Sequence, residues 1–280
     1  MGKIHIVTDS SCDISMEEAA RKNIHIVPLS LHIDGKTYVD GVDIHPEPFL
    51  DMMDQAKELP KSSQPAPGRF QEVYEQLGNV GDEIISIHVA GKLSGTLQSA
   101  RQGAEMANAN VTVFDSRFIS TAMAIQVREA ARLRDAGASV NEIIKRLELV
   151  RANTKMYIYL ETLKNLLKGG RIGKGRALLG SLLNIKPIAV LEEGEYLPVS
   201  KMRSYGQVVK YMYKEFTKHT SGKTVKAVSI SHAGGMDNVG TPLKHLIEQS
   251  GFDNIEVTFT SPIISTHAGR GAIALVFFAE

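Results

Sequence analysis

The sequence predicts an α/β fold in two parts: an N-terminal domain on a parallel sheet, residues 1–153, and a C-terminal α+β domain, residues 154–280. Three observations predict it. Short apolar runs alternate with helical segments through the first half, the pattern of a parallel sheet covered by helices. After about Asn153 the order changes to a hairpin mixed with helices. No repeat, low-complexity tract or flexible linker intervenes, so the two parts should pack closely. At 280 residues the chain is long enough for two domains, each with its own core, and a 43% hydrophobic content suits a globular protein.

The elements follow in order. Residues 4–8 read as a strand, and Ser15-Met16-Glu17-Glu18 as a capping box opening a helix through Arg21. Residues 24–32 read as one strand, followed by a turn at Asp34-Gly35-Lys36 and an extended run at 37–39. Helices are expected over 48–57 and 70–77, then a buried strand over 83–89, a helix over 97–107 and a strand over 111–114. A long helix over 119–134 should stop at Gly137, and Ser139-Val140-Asn141-Glu142 is a second capping box for a helix to about Arg151. Beyond it come a strand at 156–160, a helical stretch at 162–168 broken by Gly169-Gly170, and a hairpin of 185–191 and 196–202 around Glu193-Gly194. A helix (207–218), a strand (225–231), a helix (241–249) and two terminal strands complete the chain.

The most informative motif is Ser265-Thr266-His267-Ala268-Gly269-Arg270-Gly271, read as a glycine-rich turn between two buried strands. A histidine there is costly unless it bonds something. Thr8-Asp9-Ser10-Ser11, Ser62-Ser63-Gln64-Pro65 and Leu93-Ser94-Gly95-Thr96 are hydroxyl-rich loops able to supply companions. Histidine and hydroxyls together suit a carboxylate, so Ser62, Ser63, Ser94, Gly95, Thr96 and His267 are the candidate carboxylate-binding residues. Ser94-Gly95-Thr96 also opens a helix, where backbone amides attract anions, although capping alone explains those hydroxyls. Arg171, Lys174 and Arg176 form a basic cluster that either lines the ligand mouth, docks a partner, or is a solvated loop.

Other chemistries fit less well. Ser221-Gly222-Lys223-Thr224 ends like a P-loop, but Thr217 stands where its first glycine belongs and the helix precedes the strand. Gly91-Lys92-Leu93-Ser94-Gly95 is off register for a nucleophile elbow. The nine histidines contain no His-Glu-x-x-His pair, and Asp9 and Asp13 read as acceptors for turn amides before they read as metal ligands. No catalytic residue and no metal site is assigned. A net charge of +1 gives no nucleic-acid footprint. The apolar runs are too short to span a bilayer, and a single cysteine, Cys12, is read as a small buried thiol of a reducing, cytoplasmic setting.

Taken in order, Thr8-Asp9-Ser10-Ser11-Cys12-Asp13, Ser62-Ser63-Gln64-Pro65, Leu93-Ser94-Gly95-Thr96, Asp115-Ser116, the stretch from Leu166 through Lys174, and Thr266-His267-x-Gly269-x-Gly271 resemble the DegV family of bacterial fatty-acid-binding proteins. That family includes the acyl-carrying subunits of fatty acid kinase. The resemblance implies two α/β domains with a long-chain fatty acid between them. It implies a carboxylate held at Ser62, Ser94 and His267, with Arg171 near the mouth. It also implies a non-catalytic carrier that offers its ligand to a separate kinase, the acyl phosphate then feeding phospholipid synthesis, with no cofactor beyond the bound acid. Ser62 departs from the usual threonine, and Arg270 from the usual proline. Leu178, Leu179, Leu182 and Leu183 are candidates to line the acyl slot, or ordinary core. Two alternatives stay open: an acyl ester or acyl phosphate hydrolase using Ser94 as nucleophile and His267 as base, and an interaction protein with a vestigial pocket.

Overall fold

The computed structural model describes residues 2–174 and 185–280. The chain opens with β1 (Ile4–Asp9), α1 (Met16–Arg21) and β2 (Ile24–Val27), and then β3 (Ser30–Ile33) and β4 (Lys36–Val39). The single strand expected over 24–32 is therefore two. Pro28 has no N–H for a ladder, and the Leu29 amide turns to the Ser10 hydroxyl at 3.1 Å. The chain leaves one sheet there and enters another. After α2 (Pro46–Gln55) comes β5 (Lys61–Ser63), where a turn was expected; it pairs antiparallel with β3, placing Ser62 opposite Leu31. Next come α3 (Pro67–Leu77), β6 (Glu83–His88), α4 (Thr96–Met106), β7 (Asn110–Asp115), α5 (Ser120–Asp135) and α6 (Val140–Asn153).

Strands β2-β1-β6-β7 form a four-stranded sheet, parallel throughout, and β4-β3-β5 a small antiparallel one. Phe70 and Tyr74 of α3 and Ala100 of α4 close over Val7 and Ile84 on one face of the parallel sheet. The loops after β1, β6 and β7 leave its carboxyl edge, where open parallel sheets bind ligands. Both predicted capping serines cap. Ser139 makes the full reciprocal box with Glu142. Ser15 makes only half of one, because the Glu18 carboxylate pairs with Arg128.

From Thr154 onward the strands belong to a third sheet. β8 (Thr154–Tyr159), α7 (Lys164–Lys168), β9 (Lys186–Glu192), β10 (Glu195–Met202), α8 (Tyr205–Thr220), β11 (Val225–His232), α9 (Thr241–Gln249), β12 (Ile255–Phe259), α10 (Pro262–Ala268) and β13 (Ile273–Ala279) follow. The six strands run β10-β9-β8-β13-β11-β12, with only β11 and β12 parallel. The hairpin turns at Glu193-Gly194, both at positive φ (48° and 73°), as a two-residue turn between twisted strands requires. Alternation splits β8: Tyr157 and Tyr159 join the core under α8 and α9, whereas Met156 and Ile158 face the other way. That second face does not have a core of its own. Met156, Ile158 and Val276 share one apolar cluster with Ala122 and Val127 of α5, Leu147 of α6 and Ile6 of β1. Two separate cores were expected; α5 instead lies between the two large sheets and packs against each, with α6 against α5 and β13.

α10 is the larger correction. His267 lies in the last turn of a helix, not in a glycine-rich turn. Pro262 occupies the first helical position, and the Ser261 hydroxyl accepts from the Ile264 amide at 3.4 Å. Gly269 (φ 78°) and Gly271 (φ 89°) then turn the chain into β13.

A fully buried polar chain fixes the carboxyl edge of the parallel sheet. Asp9 accepts from the Val89 amide and from His88 Nδ1, both at 3.0 Å, and His88 Nε2 meets Ser86 Oγ at 2.7 Å. Replacing His88 with Leu would leave the buried Asp9 carboxylate short of a partner. A loss of about 3 kcal/mol is expected in urea unfolding. Lys92→Ala, which breaks only an exposed pair with Glu195, should cost less than about 1 kcal/mol.

Candidate functional site

A cavity of about 110 Å³ lies between the six-stranded sheet and the loops at the carboxyl edge of the parallel sheet. Its walls are mainly aliphatic, with Val89 and Ile119 from one side and Ile158, Leu160, Leu191 and Ala274 from the other. The period-two alternation of β8 points Met156 and Ile158 into it. Ser62, Ser94, Arg171 and His267 line the same cavity although they come from four separate segments.

His267 is the centre of that group. Its Nε2 lies 2.8 Å from Ser62 Oγ, while Nδ1 is buried with no hydrogen-bond partner. Burial, and then the nearby Arg171 charge, hold the imidazole neutral by lowering its pKa to about 4. Its ring packs on Gly169, where a Cβ would overlap Nδ1. The helix carrying it is tied to α7 by Asn165 Nδ2, which donates to the Thr266 carbonyl at 3.0 Å. Arg171 donates from Nε to the Leu93 carbonyl at 3.1 Å and from one terminal nitrogen to the Gly169 carbonyl at 2.7 Å. The fork is thus fixed in place, and its further N–H groups have no hydrogen-bond partner among the described residues. The Ser94 hydroxyl lies 2.9 Å from that of Thr96.

The other candidates fall elsewhere. Ser63 is on the opposite face of β5 from Ser62, a consequence of strand alternation, and meets His32 Nε2 at 3.2 Å. Gly95 does give a close approach, but to Gln64: a Cβ there would overlap that amide, whose Nε2 donates to Ser99 Oγ of α4 at 2.8 Å. Thr96 is buried behind Ser94 and does not line the cavity. Lys174 pairs with Glu195 at 3.1 Å. Arg176, Leu178, Leu179, Leu182 and Leu183 lie outside the described residues. Asp9 and Asp13 accept from backbone amides of Ser11 (3.1 Å) and Ser261 (2.8 Å). Cys12 is buried, and burial pushes its thiol pKa up, against any nucleophilic role. Gln64, Gly169 and Asn165, which position the site residues, were missed; only the partners reveal them.

Chemically, one corner offers two hydroxyls, a guanidinium and an imidazole, and the rest is mainly hydrocarbon, with Ser11, Ser120, Ser231, His232 and Thr260 also in the lining. Ser94 bonds Thr96 and His267 bonds Ser62, so no serine–histidine pair with an orienting acid is assembled.

Such an architecture defines a mixed α/β protein with an N-terminal parallel sheet, a C-terminal mostly antiparallel sheet and a mainly aliphatic cavity with a donor-rich corner. The sequence model described as "Uncharacterised protein, DegV family" matches residues 3–280, and the chain belongs to the DegV family. A DegV domain-containing protein of Listeria innocua is 43% identical over 281 residues, covering 100% of each chain. Among solved structures, a fatty-acid-binding DegV family protein from Thermus thermophilus has a TM-score of 0.92 at 30% identity, covering 99% of this chain and 100% of that one. DegV of Bacillus subtilis, described as a fatty acid binding protein, has a TM-score of 0.90 at 28% identity, covering 100% of each.

The depressed His267 pKa has a consequence for stability. Between about 4 and the ordinary 6.5 the unfolded chain binds more protons than the folded one. The contribution of the neutral imidazole is therefore complete above pH 6.5 and lost as pH falls toward 4, by at most about 1.4 kcal/mol per unit. The wild-type minus His267→Gln difference in unfolding free energy should rise over that range. A flat difference would show that His267 titrates normally.

Proposed function

We propose that this protein binds a long-chain fatty acid and presents its carboxylate to a separate fatty acid kinase, the acyl phosphate then entering phospholipid synthesis. We take residues 1–153 and 154–280 as its two domains, the first supplying Ser62 and Ser94 and the second Arg171 and His267. The observation that carries the reading is the convergence of these four side chains on one corner of an aliphatic cavity. The chain must bind something with hydrocarbon along its length and an anionic end. Burying the hydrocarbon contributes about 0.8 kcal/mol per CH2, and the few placed donors fix its direction. The fatty-acid-binding descriptions of the Thermus thermophilus and Bacillus subtilis relatives support the same class of ligand.

The protein acts as a carrier without catalysis of its own, and ATP chemistry belongs to its partner. Arg171 and Lys174 belong to the rim that docks it, Arg171 also reaching the ligand, and Arg176 of the same basic motif lies outside the described residues. The alternative, hydrolysis by Ser94 and His267, would need the two side chains to meet, and each has a different partner.

Mass spectrometry of solvent extracts should find one long-chain fatty acid per protein. Ser94→Ala and His267→Ala should each weaken fatty-acid binding by about 1.5–3 kcal/mol, and changes at Ser221 or Thr224 should not. Equal losses at all four positions would place the site elsewhere. Acyl phosphate should form only when kinase and ATP are both added, with Arg171→Glu and Lys174→Glu slowing transfer through encounter with the kinase. Esterase activity abolished by Ser94→Ala would replace the carrier reading with the hydrolytic one.

A further inference from the structure

Asp40 follows directly on β4 and is 2% exposed. Its backbone is held: the amide donates to the Leu29 carbonyl at 3.0 Å, and the residue bridges to Ile44. Its side chain is not. Neither carboxyl oxygen has a hydrogen-bond partner, and no ion pair reaches it among the described residues. A buried carboxylate in that state is among the most costly groups a fold can carry. Neither the cavity nor the seam between the sheets makes use of it.

What surrounds Asp40 is the seat of α10. That helix packs against the loop after β1, against β3 and β5, and against α2. The Ser10 hydroxyl of the loop and the Ile263 amide of α10 lie beside the Asp40 carboxyl and favour its charged form. One amide and one hydroxyl out of bonding position do not replace the water a carboxylate gives up. Burial is the larger influence, and the negative neighbours Asp13 and Asp9 act in the same direction, raising the pKa to about 7. The other titratable groups on these elements are engaged or exposed. Cys12 is a buried thiol, and Asp43 accepts from the Val39 amide at 2.8 Å. His32 meets Ser63, His267 meets Ser62, and Arg270 is held by Asp51 and Asp54. His45, Glu47 and Lys61 are exposed.

Asp13 carries the connection onward. It accepts from Thr260 Oγ1 at 2.7 Å and from the Ser261 amide at 2.8 Å, the two residues that lead into α10. Ser261 in turn caps the helix at the Ile264 amide, and the far end of the helix brings His267 to 2.8 Å from Ser62. A further negative charge beside Asp13 therefore acts on the segment that places the imidazole at the donor-rich corner.

We propose that Asp40 is a proton-operated catch for the His267 corner: its neutral acid lets α10 sit against β3 and β5, and its ionisation loosens that seat and weakens ligand binding. The inference rests on the fatty-acid reading given above. Its sign follows from linkage. The ordinary aspartate value is 3.8, so between it and about 7 the folded chain binds more protons than the unfolded one. The stability that the neutral acid contributes is complete below 3.8 and is lost as pH rises through about 7. A ligand that binds the seated form of α10 favours the proton on Asp40, and by reciprocity its own affinity falls as that proton leaves. His267 is not the source of such a change, because its pKa near 4 keeps it neutral throughout.

The test is titration of delipidated wild type and Asp40→Asn with hexadecanoic acid from about pH 6 to about pH 8. The ratio of wild-type to variant affinity should fall about fivefold or more, with its midpoint near 7. The ligand's own titration is common to both proteins and leaves the ratio untouched. A second measurement uses the ligand-free wild type alone and serves where Asp40→Asn fails to fold. In it, the amide NMR signals of Ile263, Ile264 and Ser265 should shift with pH about the same midpoint. A flat ratio where both proteins bind, or α10 amides without a transition near pH 7, overturns the inference and leaves the fatty-acid reading intact. If hexadecanoic acid binds neither protein at any pH, the fatty-acid reading fails, and the control of its binding by Asp40 is overturned with it.

Discussion

The contact between Ser62 and His267, 205 residues apart in sequence, is the interaction on which the site depends. It can form only if β5 leaves the parallel sheet for its pairing with β3 and if α10 is inserted between β12 and β13. Each condition has its own local cause. Pro28 interrupts the ladder after β2, and Ser261 with Pro262 starts a helix where an extended chain would otherwise run straight into β13. Gly169 then leaves room for the imidazole. A hydrogen bond between two neutral side chains contributes only about 1 kcal/mol net, so it does not hold the domains together. Its role is geometric: it aims two polar groups from different domains at one point of an apolar cavity.

What holds the domains is the shared apolar cluster, with a polar seam laid beside it. α5 buries its faces against both large sheets and α6 packs on α5 and β13, so neither sheet could close its core alone. Along the seam, Arg128 bridges Glu18 of α1 and Glu256 of β12 with paired contacts of 2.7–2.9 Å. Arg270 adds another tie. Its guanidinium reaches Asp51 and Asp54 of α2, both at 2.6 Å. A proline would stiffen the turn after His267 from within; the arginine anchors it from outside. Exposed ion pairs contribute little stability, but two acids on one fork restrict the orientation of the turn.

Much of the fold was legible because its signals are local. The alternation of strand and helix through α6, the Ser139 capping box and the Glu193-Gly194 hairpin each depend on a few adjacent residues, and each is present. Most of the errors lie where tertiary pairing overrides local preference. Ser62 and Ser63 read as turn chemistry until β3 supplies a ladder. Ile263, Ile264 and Thr266 are β-branched, and their short helix exists because it is capped and packed against α2 and α7. In the site, residues that contribute a function through their own side chain (Ser62, Ser94, Arg171, His267) carried a signal. Those that act by leaving space or by positioning others, Gly169 and Asn165, carried none. Ser63 and Gly95 shared the motif signal without sharing the cavity, because adjacency in sequence does not fix the face on which a side chain emerges.

Polarity, not shape alone, gives the cavity its direction. At the Ser62 corner the charged group is a cation, the Arg171 guanidinium, held by the Leu93 and Gly169 carbonyls. On another side of the cavity the groups behind the surface are acidic, Asp9 and Asp13, which accept from the hydroxyls of Ser11, Ser120 and Thr260. The two ends thus differ in sign while displaying the same residue type, serine. Composition cannot distinguish them, since a serine on a helix cap and a serine on a buried aspartate look alike in a sequence. Only the charge that each hydroxyl serves decides whether it meets a ligand as donor or as acceptor, and that charge is set by residues brought in from both domains.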